Sequence, residues 1–161
     1  MKASPLTVFL TILIILTIVL GLYTYLTPPY DGRPPPPQGS FANVQRVNVS
    51  DSVFFGPFNR DVKPSEIMII VDNMTTPQST MYDMPANDLP GPLTARTGGN
   101  LTGINSIVYT DLAGDKKISE GDYITITYTY AFSGSMSYWV IMVYVPIGSY
   151  VDSIIIMWPH S

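Results

Sequence analysis

Two patterns of apolar and polar residues divide the chain. Residues 6–26 are an unbroken run without a single charge. Beyond Ser40 the apolar residues recur with a period of two, most clearly in DYITITYTYAF (122–132), where isoleucine and tyrosine alternate with threonine. The first pattern is typical of an apolar helix, and the second is typical of β-strands with one buried face.

The period-two region predicts six or seven strands separated by turns that contain Gly, Pro, Ser or Asn. YWVIMVYV (138–145) is apolar on both faces, which indicates a central strand. The stretch Asn73–Asn100, rich in Pro, Thr and Gly, is expected to be irregular and exposed. No helical pattern interrupts the strands, so we predict an immunoglobulin-like β-sandwich. The other strand segments are FANVQRVNV (41–49), EIMIIV (66–71), GINSIVYT (103–110) and YVDSIIIMW (150–158).

The apolar run is long enough to cross a bilayer. Twenty-one residues span roughly 31 Å as a helix, which matches the thickness of the hydrocarbon layer. Ser4 is a good N-cap before Pro5, and the prolines that follow Thr27 cannot continue the helix. The run is longer than that of a cleaved secretory signal and lacks a small-x-small cleavage site, so we predict a retained transmembrane helix over residues 3–27. The fold class is then α+β, a single long N-terminal helix followed by the sandwich.

One side of that helix carries small and hydroxyl side chains. They lie within an arc of about 140° at 100° per residue. They mark either a surface where another helix packs closely, or threonines that bond back to their own helix in lipid. The residues are Thr7, Thr11, Thr17, Gly21 and Thr24.

A proline-rich segment separates the helix from the strands. Thr27–Ser40 holds six prolines and two glycines, so neither a helix nor a sheet interior can form there. We assign residues 28–40 to a stiff linker and residues 41–161 to one domain of roughly 120 residues, which is large enough for its own core.

The segment KASPLTVFLTILIILTIVLGLY (2–23) resembles the N-terminus of archaeal type IV pilins. In that family a basic leader precedes a small residue, Ser-Pro and an apolar helix. The resemblance implies that residues 1–2 are a leader, removed by the prepilin peptidase between Lys2 and Ala3. The leader is shorter than is usual in the family, and Thr7 stands where bacterial relatives have a glutamate, as in the archaeal branch.

The resemblance implies a structural subunit of an extracellular type IV pilus-like filament. Such a subunit waits in the cytoplasmic membrane as a precursor. The pilus assembly machinery then polymerises it into a cell-surface filament through its N-terminal helices, with an outward β-rich head for attachment. The alternative is a monomeric surface binding protein held by an uncleaved signal anchor. An extracellular hydrolase on the same anchor is a third alternative, and the N-terminus, at Ala3 or Met1, separates the first two.

Charge and composition narrow the range of functions. Charged residues make up 12% of the chain, and beyond residue 26 there are seven Lys or Arg and twelve Asp or Glu, a net charge of −5. Nucleic acid is an unsuitable partner, because its phosphates need a clustered basic surface. The chain has no cysteine, which excludes disulfides, thiolate metal sites and a thiol nucleophile.

Two sets of residues suggest modification or metal binding. Three Asn-x-Ser/Thr sequons predict glycosylation of an extracellular head at Asn48, Asn73 and Asn100. In DLAGDKKISEGD (111–122), oxygen ligands recur at the spacing of an EF-hand calcium loop. Ala113 and Lys116 break that pattern, so a tight polar turn between two strands is the alternative to a weak calcium site. The ligands would be Asp111, Asp115, Ser119 and Asp122, and no other cofactor is expected.

Catalysis has little support in the sequence. The single histidine is His160, the penultimate residue, which is a poor base for a catalytic triad. We therefore expect that the protein is not an enzyme. The many aromatic residues of the head, Trp139 among them, are interpreted as core and sheet packing rather than as a platform for sugars.

Overall fold

The computed structural model describes residues 35–96, 99–129 and 136–157. These residues form two five-stranded antiparallel sheets that make a β-sandwich, so the predicted sandwich is confirmed. The helix predicted for residues 3–27 lies outside the described residues. Within the described ranges, no helix is long and apolar enough to span a membrane.

Ten strands and two short 3-10 turns make up the sandwich. The turns are Pro64–Glu66 and Val145–Ile147. The strands are β1 (Phe41–Val47), β2 (Ser50–Phe55), β3 (Ile67–Asn73), β4 (Gln78–Asp83), β5 (Gly91–Pro92), β6 (Thr94–Ala95), β7 (Ile104–Thr110), β8 (Tyr123–Tyr128), β9 (Ser137–Tyr144) and β10 (Ser149–Met157). The first sheet has the order β1-β2-β8-β7-β5, and the second has the order β10-β9-β3-β4-β6.

The alternating segment behaves as its pattern predicts. In β8, Ile124, Ile126 and Tyr128 are buried, whereas the threonines between them are half-buried on the outer side. Thr125 and Thr127 face β2, where each is within 3.2 Å of a serine hydroxyl. Burial of one apolar side chain stabilises a fold by about 1.5–3 kcal/mol, so this alternation fixes which face of the strand points inward.

Tyrosine side chains fill much of the space between the sheets. Tyr128 of the first sheet stacks on Tyr138 of the second, with their ring centroids 5.5 Å apart. Such pairs add to the free energy of burial alone. The large side chains that are fully buried include Phe55, Tyr82, Tyr109, Tyr138 and Tyr144. The interpretation of these tyrosines as core residues is confirmed.

The expectation that Asn73–Asn100 is irregular was wrong in its middle part. The segment contains β4, which pairs with β3 over its whole length, and the short strands β5 and β6. Tyr82 is fully buried, and Met84 and Leu93 are nearly so. The sequence did not predict β4, because only two of its residues, Thr80 and Tyr82, face the core and the surrounding segment is rich in proline and threonine.

Residues 36–40 are packed against the sandwich. The backbone N–H of Gln38 donates to Asn59 Oδ1 at 2.9 Å, and the N–H of Asn59 donates back to the Gln38 carbonyl at 2.9 Å. The N–H of Gly56 donates to the Ser40 carbonyl at 2.7 Å. The compact unit thus begins at Pro36, within the segment assigned to the linker. We call this end of the sandwich the linker end, and the opposite end, which contains the β3–β4 turn, the far end.

Candidate functional site

The predicted processing and helix-packing residues lie outside the described residues. They are Lys2, Ala3, Thr7, Thr11, Thr17, Gly21 and Thr24. The surfaces of the sandwich are therefore where the geometry can be examined. Two features stand out, and both belong to the second sheet.

The outer side of the second sheet is apolar. Because side chains alternate along a strand, every second residue of β10, β9, β3 and β4 points away from the core. The register places Tyr150, Val143 and Met68 in one row across the sheet, and Ile141, Ile70 and Met81 in the next. We call these six residues, together with Ile155, the apolar face.

The apolar face is partly exposed: Ile70, Ile141 and Val143 are half-buried and Met68 is buried, whereas its other three residues are exposed. Tyr150 is 59% exposed, Ile155 49% and Met81 43%. Its charged neighbours at the β4 edge neutralise each other, because Arg96 and Asp83 are 2.7 Å apart. Contiguous apolar surface of this kind is typical of a contact with a protein or a membrane.

The outer side of the first sheet differs in chemistry. Hydroxyl side chains dominate it, and two pairs across β2 and β8 are close enough to hydrogen-bond, Ser50 with Thr127 and Ser52 with Thr125. These hydroxyl contacts satisfy part of the hydrogen-bonding capacity of this surface. Among the described residues the two outer sides thus differ: the first sheet combines these hydroxyls with the ring pair of Phe54 and Tyr123, whereas apolar side chains predominate on the second.

A cleft lies beside the apolar face, toward the far end. Its cavity of about 390 Å³ is lined by residues 72–74, residues 77–79 and Trp139. Trp139 of β9 and Asp72 of β3 are register partners, and the next outward residue on β4 is Ser79. The Trp139 side chain is 39% exposed. We call this site the Trp139 cleft.

Two polar atoms of the Trp139 cleft have no hydrogen-bond partner among the described residues. Asp72 Oδ1 is buried and accepts no hydrogen bond. Asn73 uses its Oδ1 to accept the N–H groups of Thr75 and Thr76 at 2.9 and 3.1 Å, which leaves its amide nitrogen available. A buried carboxylate oxygen without a donor is destabilising by about 1–3 kcal/mol, and it requires a physical explanation.

Trp139 is not part of the core, because it is 39% exposed, and its interpretation as a sheet-packing residue stays a prediction. β9 does lie between β10 and β3, as predicted for a strand that is apolar on both faces. Its inward residues Tyr138, Val140 and Met142 are buried, whereas its outward residues are half-buried or, at Trp139, exposed. Apolar residues on both faces of a strand indicate two contact surfaces, and the second can belong to another molecule.

The loop between β7 and β8 is a polar turn held by its own carboxylates. Both oxygens of Asp111 accept backbone N–H groups, from Gly114 at 2.6 Å and Lys116 at 3.0 Å. Asp115 accepts the Lys117 N–H at 2.9 Å and the Ser119 hydroxyl at 3.1 Å. The polar turn that was the alternative to a calcium site is thus what these contacts form.

Asp122 is the centre of that loop. It is fully buried, and its Oδ1 accepts the Leu112 N–H at 2.8 Å. Its Oδ2 accepts the Ser119 N–H at 2.8 Å and the Tyr109 hydroxyl at 3.2 Å. Burial, followed by the nearby Asp122 carboxylate, raises the pKa of Tyr109 well above its ordinary value, so this hydroxyl remains a donor.

These contacts give no support to a calcium site. Among the described residues, no group of three or more His, Cys, Asp or Glu side chains is arranged to hold a metal ion. The backbone N–H groups that Asp111 and Asp122 accept account for the conformation of the loop without a cation. Calcium binding by Asp111, Asp115, Ser119 and Asp122 stays a prediction.

The three sequons occupy different environments. Asn48 is exposed in the two-residue turn between β1 and β2, with a φ of 54° that asparagine tolerates. Asn100 is exposed, and its side-chain amide donates to the Asn105 carbonyl at 2.6 Å. Asn73 is only 5% exposed and caps the β3–β4 turn. Glycosylation stays a prediction at all three positions, and Asn48 and Asn100 are the more accessible acceptors.

The candidate functional surfaces are therefore an apolar sheet face and a cleft with an exposed indole, a carboxylate and an amide. Sequence reasoning missed both, although the doubly apolar strand β9 was a signal for the first. Comparison of the chain with protein-family models and with curated proteins gives no significant match.

Proposed function

We propose that this protein is the structural subunit of a type IV pilus-like filament. The observation that carries the proposal is the segment KASPLTVFL, a lysine, a small residue and Ser-Pro directly before twenty-one uncharged residues. A long N-terminal helix and an immunoglobulin-like arrangement of the head are parts of the same proposal. Its linker and β-sandwich are the parts expected of an outward-facing head.

The apolar segment gives a physical reason for polymerisation. Burying about twenty such side chains at roughly 1.5–3 kcal/mol each keeps the segment in lipid or in protein. When sister copies replace lipid, the hydrophobic contribution nearly cancels, so side-chain packing decides the outcome. Thr7, Thr11, Thr17, Gly21 and Thr24 are the residues that would let neighbouring helices approach.

The head has a surface suited to contact between subunits. Polymerised N-terminal segments hold the heads close together, so even a weak contact between heads is favoured by a high effective concentration. The apolar face is the surface proposed for such a contact, because its side chains are uncharged and Tyr150, Ile155 and Met81 are exposed in a single copy.

The experiment is mass spectrometry of native material together with electron microscopy of sheared cell-surface fibres. An N-terminus at Ala3 in material that forms helical fibres is the expected result. An intact Met1 in solitary, membrane-bound molecules would favour the monomeric signal-anchored protein instead. Substitution of Ala3 by a bulky residue should block cleavage and fibre formation together, whereas substitution of the exposed Val47 should affect neither.

A further inference from the structure

We propose that the Trp139 cleft binds the pyranose ring of a neutral saccharide. The proposal goes beyond a role in filament structure and does not depend on it. It rests on an exposed indole, a carboxylate and two amide side chains around one cavity of about 390 Å³. Cavities of this size accommodate small ligands.

The indole of Trp139 provides the apolar surface for the ring. One side of a pyranose presents mainly C–H groups, which pack against the face of an aromatic ring, while the hydroxyls point outward from the rim. Trp139 is 39% exposed, whereas the aromatic rings of Tyr138 and Tyr144 on the same strand are buried. Its side chain is therefore accessible on the outer side of the sheet.

The groups around the indole match the rim of a sugar. Asp72 has a buried oxygen that accepts no hydrogen bond, and sugar hydroxyls are donors. The amide nitrogen of Asn73 has no partner in the described chain and can donate to a hydroxyl oxygen. Gln78 and Ser79 add an amide and a hydroxyl at the outer edge of the same cavity.

The charges of the cleft argue against other ligands. Asp72 would repel a phosphate or a carboxylate, and none of the described residues that line the cavity is a lysine or arginine that could offset this repulsion. Among the residues described, no cluster of metal ligands occurs there. A cation could contact both Asp72 and Trp139, but it would not provide a hydrogen-bond acceptor for the amide groups of Asn73 and Gln78.

The saccharide can come from two sources. It can be a sugar of another molecule, or it can be a glycan carried by this chain. Asn73 is a sequon residue within the cleft, and Asn100 lines the neighbouring cavity that shares residues 77–79. The hydroxylated ring is the same ligand in both cases, so the experiment must separate the sources.

The test is a titration of the full chain with simple saccharides, in which binding is measured by tryptophan fluorescence. The chain has two tryptophans, Trp139 and Trp158, so the variant Trp158→Phe leaves Trp139 as the sole reporter. The protein should be expressed in a host that does not glycosylate and kept in a detergent without a sugar head group. The probes are the methyl pyranosides of glucose, galactose, mannose and N-acetylglucosamine, with methyl glucuronide as the anionic comparison.

At least one neutral pyranoside is expected to change the Trp139 fluorescence in a saturable manner. Asp72→Asn should weaken binding by about tenfold, the loss of one strong hydrogen bond. Trp139→Ala, followed by saturation-transfer NMR, should abolish binding. The matched controls are Tyr150→Ala, another exposed aromatic on the same sheet, and Glu120→Gln, an exposed acid at the linker end, and both should bind as the parent does.

The source is resolved with native material. If the chain's own glycan occupies the cleft, the added pyranoside should bind natively glycosylated protein weakly. Removal of the sequons by Thr75→Ala and Thr102→Ala should then restore the binding, whereas a foreign saccharide would bind equally before and after.

Three results would overturn the proposal. The first is the absence of saturation with all of the neutral pyranosides. The second is binding that survives both Trp139→Ala and Asp72→Asn. The third is saturation by butylammonium or methylguanidinium alone, which would make the site a cation site. None of these results bears on fibre formation, and a failure to form fibres would not affect the titration.

Discussion

At the scale of single residues, the two fully buried aspartates show how this weakly charged head uses its carboxylates. Asp51 accepts two hydrogen bonds from the Arg46 guanidinium, at 2.8 and 3.0 Å, and a third from the Tyr128 hydroxyl at 3.0 Å. Asp122 is satisfied by two backbone N–H groups and Tyr109. Each buried charge is therefore hydrogen-bonded on both oxygens, as a stable core requires. Asp72 departs from this rule, and this is why its environment points to a ligand.

Substitution Asp122→Asn tests the structural role of the β7–β8 loop. The new NH₂ group would face a backbone N–H, so one donor loses its acceptor and we expect a loss of about 2–4 kcal/mol in the free energy of unfolding. Urea denaturation measures this loss. Asp115→Asn is the control, because that side chain is exposed and should change stability by less than about 1 kcal/mol. Equal effects of the two substitutions, or a rise in melting temperature of the parent with excess calcium, would contradict a purely structural loop.

Ionisation of Tyr138 is expected to lower the free energy of unfolding at alkaline pH. Burial, and secondarily the nearby Tyr82, raises the pKa of Tyr138 from 10.0 to about 12. Between these values the unfolded chain loses a proton that the folded chain retains, so its contribution to stability is complete below pH 10 and is lost as the pH rises toward 12. Urea denaturation at successive pH values should show this decline. Tyr138→Phe should make it shallower, and an unchanged slope would show that Tyr138 does not titrate in this range.

At the scale of the strands, the sequence predicts a strand well where several apolar residues alternate with polar ones. It predicts a strand poorly where only one or two residues face the core. β8 alternates through six residues, and its isoleucines are buried as expected. β4 has only Thr80 and Tyr82 facing inward, so its pattern could not be separated from that of a Pro- and Thr-rich loop. β9 was correctly placed between two strands. The exposure of Trp139 could not be predicted, because an apolar side chain can be covered either by its own chain or by another molecule.

Gly39→Ala tests the attachment of residues 36–40 to the sandwich. A Cβ at this position would overlap the ring of Phe58, so the segment must shift or the ring must move. We expect a loss of about 1–3 kcal/mol and faster hydrogen exchange at the amides of Gly56 and Asn59, which donate to this segment.

Two further variants make that test specific. Phe58→Ala opens the space, so the double variant should lose less stability than the sum of the two single ones. Gln38→Ala is the control, because only the backbone of Gln38 bonds to Asn59. Additive losses, or exchange rates at Gly56 and Asn59 that stay unchanged, would show that the glycine is not needed for packing.

At the scale of the whole molecule, the outer surfaces of the two sheets differ in chemistry. The first sheet turns hydroxyls outward, with Ser50 and Ser52 paired to threonines of β8. The second sheet turns the apolar face outward and carries the Trp139 cleft at its far end. In a monomer, the exposed side chains of Met81, Tyr150 and Ile155 contact water and add nothing to stability. In a subunit surrounded by sister heads, the same side chains can be buried in a contact. These two surfaces are the ones that we propose for contact between heads and for saccharide binding.

Met81→Lys tests whether the apolar face joins neighbouring heads. The side chain is 43% exposed, so in a single copy the lysine can reach water and the free energy of unfolding should change by less than about 1 kcal/mol. Between two heads the same lysine would be buried without a partner, which is strongly unfavourable. We therefore expect normal amounts of folded, processed subunit but far fewer sheared fibres, counted by electron microscopy. Val47→Lys adds the same charge at a 63% exposed position on the first sheet and should leave the fibres intact. Abundant fibres from Met81→Lys, or their loss only with Val47→Lys, would place the contact between heads elsewhere.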